Sequence, residues 1–266
     1  MKRKILIGIG VLCFILACFF IWRTHSRNYH VTFTNPHQEE KEVNQIKVGT
    51  YNTKLLDQGN GLERFANEMK ELDLDILVVQ EVDQHARRSG NINMVEEMAK
   101  AADFPYYHFY QTMWILDGYY GIGILSKYPI NAVTSTQLPT HFLNEPRVFA
   151  QADIDFCGRI LHVYHTHLSF KERDVRKEQI ASISKEIENQ TDTIFLGDMN
   201  TFQASDFFEI DGMTSINKAN DPYITFRDFG FPDNIYYSNN LSLLQAQVIP
   251  STFSDHNLFY CELKLS

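Results

Sequence analysis

The chain has 266 residues, 44% hydrophobic and 13% aromatic, which suits a folded body with a sizeable core and excludes a disordered protein. Its formal charge is −9; with Lys2, Arg3, Lys4 and Arg23 set aside, the rest carries 20 basic against 33 acidic residues. That balance argues against a broad electrostatic grip on nucleic acid, although a local site with a bound cation still accepts a phosphate.

Taken in chain order, the first element is apolar. Ile5 to Trp22 is an uninterrupted run of 18 residues behind a basic amino terminus, long enough for a transmembrane helix. No small-x-small cleavage site follows it, so an uncleaved anchor is expected in preference to a removed signal peptide. Ile15-Leu16-Ala17-Cys18 loosely matches a bacterial lipobox, which leaves acylation of Cys18 as an alternative. The basic cluster favours an inside amino terminus and an extracytoplasmic domain. Residues 1–23 therefore read as a membrane anchor, 24–44 as a polar linker with at most one short strand, and 45–266 as the folded domain.

Four β-type runs then end in polar residues. "IKVGTYNTK" delivers Asn52, "DILVVQEVD" delivers Gln80 and Glu81, "RILHVYHTHLS" delivers His165 and His167, and "TIFLGDMNT" delivers Asp198 and Asn200. Amphipathic helices lie between them, one through Leu62, Phe65, Ala66, Met69 and Leu72, another through Val175, Gln179, Ile183 and Ile187. Further β-rich stretches are "YGIGILSKYPI", "RVFAQADIDFCGRILHVYHTH" with a turn at Cys157-Gly158-Arg159, and a last pair, "DNIYYS" and "NLFYCELKL". Mixed sheets covered by helices follow, with polar strand ends collected around one pocket. Tyr119 and Tyr120, beside Gly118 and Gly121, line either that pocket or the core. Cys13 and Cys18 fall in the anchor, so the domain holds only Cys157 and Cys261, read as reduced core thiols.

Ser254-Asp255-His256 is no serine triad, because neighbouring side chains on an extended chain point in opposite directions, and no G-x-S-x-G elbow is present. His165 and His167 share one strand face, a pairing open to zinc, but no third ligand stands at a familiar spacing.

In order, Asn52 in "TYNTK", Glu81 in "VVQEVD", "YGIGILSKYPI", "NEPR", "HTHLS", "GDMNT", "FPDNIYYS" and "SDHNLF" resemble the motif series of the endonuclease/exonuclease/phosphatase superfamily, over about residues 46–264. The resemblance implies a four-layer α/β/β/α sandwich of two mixed sheets, preceded here by the transmembrane helix. It implies a magnesium ion, with manganese as a substitute, held by Glu81 with Asn52 beside it and Asp255 in support; oxygen donors suit such a cation. It further implies His256 as the catalytic histidine, Asp233 as the acid that orients it, and His167 on the scissile phosphate. Asp198 and Asn200 would hold or deprotonate the attacking water, and Arg147 would bind a phosphate oxygen. Whether Asp198 or His256 takes the proton stays open. Around Asp233 the family pattern has an aromatic residue after the acid, whereas this chain has Asn234.

The expected activity is metal-dependent hydrolysis of phosphodiesters by direct water attack, on nucleic acid or a phospholipid head group, with the membrane as a partner and no obligate protein partner. The alternative is a catalytically silent binding or scaffold protein that keeps the fold; Glu81, His167, Asp198 and His256 are all present, which disfavours it.

Overall fold

Among the described residues, alternating β-branched and aromatic runs form thirteen strands, and the two helical periodicities form helices at their expected places. The computed structural model describes residues 8–18, 27–35, 43–141 and 144–266. In chain order the elements are α1 (8–18), β1 (Tyr29–Thr32), β2 (Gln45–Asn52), α2 (Lys54–Gln58), α3 (Leu62–Leu72), β3 (Ile76–Gln84), α4 (Met94–Ala101), β4 (Tyr106–Ile115) and β5 (Gly118–Ser126). They continue as β6 (Ile130–Gln137), β7 (Val148–Phe156), β8 (Arg159–His167), α5 (Arg173–Ile187), β9 (Thr193–Asp198), β10 (Met213–Ser215), β11 (Asp233–Ser238), β12 (Leu241–Ile249) and β13 (Leu258–Leu265).

The strands divide into two mixed sheets, one ordered β1-β6-β7-β8-β9-β11-β10 and the other β12-β13-β2-β3-β5-β4. Between them lies an apolar layer that includes Val48, Val78, Ile124, Val163, Leu196 and Phe259. Phe65 and Met69 of α3 and Val95 and Met98 of α4 cover the outer face of the six-stranded sheet against Leu77 and Val79. Ile183 and Ile187 of α5 cover the seven-stranded sheet against Tyr164 and Phe195. Each face of each sheet thus buries an apolar stripe, which gives the helix–sheet–sheet–helix order.

One point differs from the sequence reading. β11 and β13, taken as a last pair, lie in different sheets: β11 pairs with β9, while β13 pairs with β2 and with β12, which intervenes in the chain. The stretch read as a linker with at most one short strand holds one, β1, which adds antiparallel to β6 at the sheet edge, and the buried Arg27 just before it donates from Nε to the Thr112 carbonyl. α1 is helical with exposed side chains, and no helix among the described residues is long and apolar enough to cross a membrane. Residues 5–7 and 19–22 of the apolar run lie outside the described residues.

Candidate active site

Each sheet holds one parallel pair near its centre, β2 with β3 and β8 with β9. The carboxyl ends of these four strands deliver Asn52, Glu81, His167 and Asp198. Parallel strands present their ends to the same side, so polar groups gather there without interrupting the apolar layer.

Local backbone features aim the side chains. β3 carries a bulge between Gln80 and Val82, and Glu81 within it has φ 57. Val78 packs between the sheets but Val82 packs against the helices, so the extra residue reverses the alternation and turns Glu81 to the strand ends. On β9, Gly197 has φ +149, and a Cβ there would stand 2.1 Å from the Thr166 carbonyl oxygen. Only glycine lets β9 approach β8 so closely, with Asp198 in register opposite His167.

Asn52 ties the two sheets together. Its Nδ2 donates to Glu81 Oε1 and to Asp198 Oδ2, both at 3.0 Å. Asp198 Oδ2 also faces His167 Nε2 at 3.3 Å and His256 Nε2 at 3.7 Å, while Oδ1 accepts from the Asn200 backbone N–H at 2.9 Å. Asn200 itself is anchored by Nδ2 to the Leu168 carbonyl at 2.8 Å. Behind His256, Nδ1 meets Asp233 Oδ2 at 2.9 Å, and Asp233 is wholly buried. Arg147 is buried beside Glu145, 3.0 Å from its Oε1, and its Nε has no protein partner among the described residues.

The electrostatics separate these groups into roles. Burial works against charge on His256, yet Asp233 and Asp198 outweigh it and raise the ring to about 9, so it is an imidazolium at neutral pH. His167, buried beside Arg147 and His256, is pushed well below the usual histidine range and is neutral. Burial raises the Asp198 carboxyl, offset in part by His256. Burial likewise raises Glu81, and Asn52 only partly opposes it.

Most sequence-predicted residues converge: Asn52, Glu81, His167, Asp198, Asn200, Asp233 and His256 form one connected group. Asp255 does not join it. Its carboxylate pairs with Lys54 Nζ at 2.7 Å, because adjacent residues diverge and His256 takes the inward direction. His165 is also excluded: it is buried between the sheets against Tyr110, both ring nitrogens are unpartnered, and no third zinc ligand joins it with His167 among the described residues.

Two donor sets are candidates for a cation. Asp198, Asp233 and His256 place one ligand atom each within 4.8 Å of one another, but the Asp233–His256 hydrogen bond already uses two of them. Glu81 fits better: it is a carboxylate of raised pKa, has no ion-pair partner among the described residues, and receives one side-chain hydrogen bond, from Asn52 to Oε1. Such hard oxygen donors suit a divalent cation.

The family profile described as the Endonuclease/Exonuclease/phosphatase family matches residues 49–256, most of the chain and every residue of this group. The chain belongs to the endonuclease/exonuclease/phosphatase family. Solved structures share its fold. An endonuclease/exonuclease/phosphatase from Beutenbergia cavernae is 16% identical with a TM-score of 0.69, over 84% of this chain and 72% of that one. A mannosyl-6-phosphatase from Bacteroides thetaiotaomicron is 17% identical with a TM-score of 0.62, over 82% and 99%. TDP2 of D. rerio, in complex with a single-strand DNA product, is 18% identical with a TM-score of 0.64, over 83% and 99%. No curated protein matches the sequence. Family members are hydrolases of phosphoester bonds, generally dependent on a divalent metal.

The sequence reading missed Asp83, Arg88 and Glu145 as neighbours of this site. The signal was present in "RRSG", two arginines just beyond the strand that ends in Glu81, and in the acid of "NEPR".

Proposed function

We propose that the protein is a magnesium-dependent phosphoesterase that cleaves phosphodiesters by direct attack of water, tethered to a membrane by Ile5–Trp22 with its domain on the extracytoplasmic side. The observation that supports this best is the buried Asp233–His256 pair directed at Asp198. A histidine held protonated cannot accept a proton, so His256 stabilises charge on the phosphoryl oxygens and Asp198 is the base. The raised Asp198 carboxyl is the stronger base for it, and the Asn200 N–H fixes its orientation toward a water. His167 and Arg147 hold the remaining phosphate oxygens, Arg147 through an Nε that has no partner among the described residues. Magnesium on Glu81 and Asn52 supplies Lewis-acid neutralisation of the phosphate when bound.

The mannosyl-6-phosphatase and the DNA-product complex place sugar phosphates and DNA beside lipid head groups in the substrate panel. Purified protein with magnesium is assayed on single- and double-stranded DNA, RNA, sphingomyelin vesicles, sugar phosphates and inositol polyphosphates. Turnover of one class, lost in Glu81→Gln, is the expected result; no turnover of any class would reject the reading. Cell fractionation tests the tether, which predicts the intact chain in membranes.

A further inference from the structure

The strand β1 and the residues beside it form a strap over the edge of the sandwich, outside residues 49–256 that match the family. His30, Val31 and Thr32 are exposed along β1, yet Arg27 ahead of it is buried. Its Nε donates to the Thr112 carbonyl on β4, and its Nη1 donates to Gln137 Oε1 on β6 at 3.1 Å. β4 is the edge strand of the six-stranded sheet and β6 belongs to the seven-stranded sheet, so one guanidinium clamps the two sheets together. Asn28 strengthens the β6 side, where its Oδ1 accepts the Gln137 N–H at 2.6 Å. Thr112 is available to the clamp because β4 carries a bulge between Gln111 and Met113, which leaves Thr112 out of register with β5.

Both arms of this clamp lead to Arg147. On β4, the Thr112 hydroxyl donates to the Tyr120 carbonyl at 2.9 Å, and the Arg147 guanidinium stands beside the Tyr120 hydroxyl. On β6, Gln137 is in register with Val148, and the next residue, Leu138, donates its N–H to the Arg147 carbonyl at 2.9 Å. Arg147 therefore crosses the same gap between the sheets, with its backbone on one and its guanidinium against a residue of the other. A strap that only blunted a sheet edge would keep its charges in water. Burying a guanidinium is costly, and here the cost is offset by acceptors drawn from both sheets.

We propose that Arg27 is a positioning residue for phosphate binding: it sets the separation of β4 and β6, and through that separation the placement of the Arg147 guanidinium at the phosphate. The inference rests on the reading of Arg147 as a phosphate-binding group. It makes the affinity of the site depend on a strap that follows the apolar amino-terminal run in the chain.

The test is a double-mutant cycle read by calorimetric titration of the full chain with inorganic phosphate at a fixed magnesium concentration. Arg27→Met keeps the apolar stem and removes the donors; phosphate affinity is expected to fall about tenfold, the scale of one misplaced charge-assisted contact. Arg147→Met should weaken binding at least as much, and Arg27→Met added to it should cost nothing further, because the two residues act through one contact. Arg27→Met also leaves the Thr112 carbonyl without its donor and lowers stability, so Gln137→Met, which removes only the acceptor on β6, is measured beside it. A smaller loss of affinity is expected there, again absent in the Arg147→Met background. Tyr29→Phe loosens the strap at its hydrogen bond to His108 without touching the clamp, and should bind phosphate as the unaltered chain does. Unchanged affinity in Arg27→Met, losses that add in the double variant, or an equal loss in Tyr29→Phe overturns the proposal while the role of Arg147 stands. Unchanged affinity in Arg147→Met removes that role and the proposal with it.

Discussion

At Glu81 one carboxylate joins backbone strain to chemistry. The φ of 57 and the bulge are maintained in a position where the side chain gains one hydrogen bond and loses its hydration. Glu81→Gln keeps the shape and removes the charge, so divalent-cation affinity measured by calorimetry should fall at least about tenfold, and kcat/KM about 100-fold or more. His256 makes a second prediction. Its pKa, lifted from 6.5 to about 9 against the cost of burial, gives stability that is fully present below 6.5 and is lost as pH rises through about 9. Asp233→Asn removes the first-named support, so NMR titration of the metal-free protein should show the His256 pKa lower by about one unit or more, with that alkaline window of stability closed. A His256 that titrates near 9 in Asp233→Asn would contradict the assignment.

Among the elements, α5 holds the site in place from behind. Gln179, fully buried, accepts the Ser169 N–H at 2.9 Å and donates to the Pro139 carbonyl at 2.9 Å, clamping the segments that follow β8 and β6. Gln179→Leu keeps the volume but strands two backbone groups, so denaturant unfolding should show a loss of about 2–4 kcal/mol. Gly197→Ala forces a Cβ onto the Thr166 oxygen and should cost about 3 kcal/mol by the same measurement while shifting Asp198 from His167. The strands and helices around these residues were visible in the sequence because their apolar periods are clean: α3 begins and ends where Leu62 and Leu72 said it would. β12 was not visible, since it is an edge strand exposed over most of its length and has no alternation to detect. α4 is only eight residues long, too short for its period to stand out. Asp255 stands apart from the hydrogen-bonded group for a related reason: a motif names neighbours in sequence, whereas only His256 of the two turns inward ahead of β13.

In the whole molecule, the two sheets meet over a largely apolar layer. Within it His165 is fully buried with no hydrogen-bond partner among the described residues, lowered to about 3 by burial and by His108, which burial itself lowers to about 4. Each histidine is neutral in the folded protein but takes a proton near 6.5 when unfolded, so stability falls as pH drops from 6.5 toward 3. His165→Leu removes one of these protons and should flatten the acid limb by about 1.4 kcal/mol per pH unit in urea melts between pH 6 and 4. An unchanged slope would mean that the ring finds a proton partner in the folded protein. The same architecture brings one strand end from each pair into contact through Asn52, so hydrolysis should depend on both sheets at once. The most direct measurement is phosphate-ester turnover by the purified chain with and without magnesium, in parallel with Glu81→Gln from one sheet and Asp198→Asn from the other. Magnesium-dependent turnover abolished by either substitution is the predicted result. Turnover that persists in chelator, or that survives the loss of Asp198, would contradict the assignment of this site.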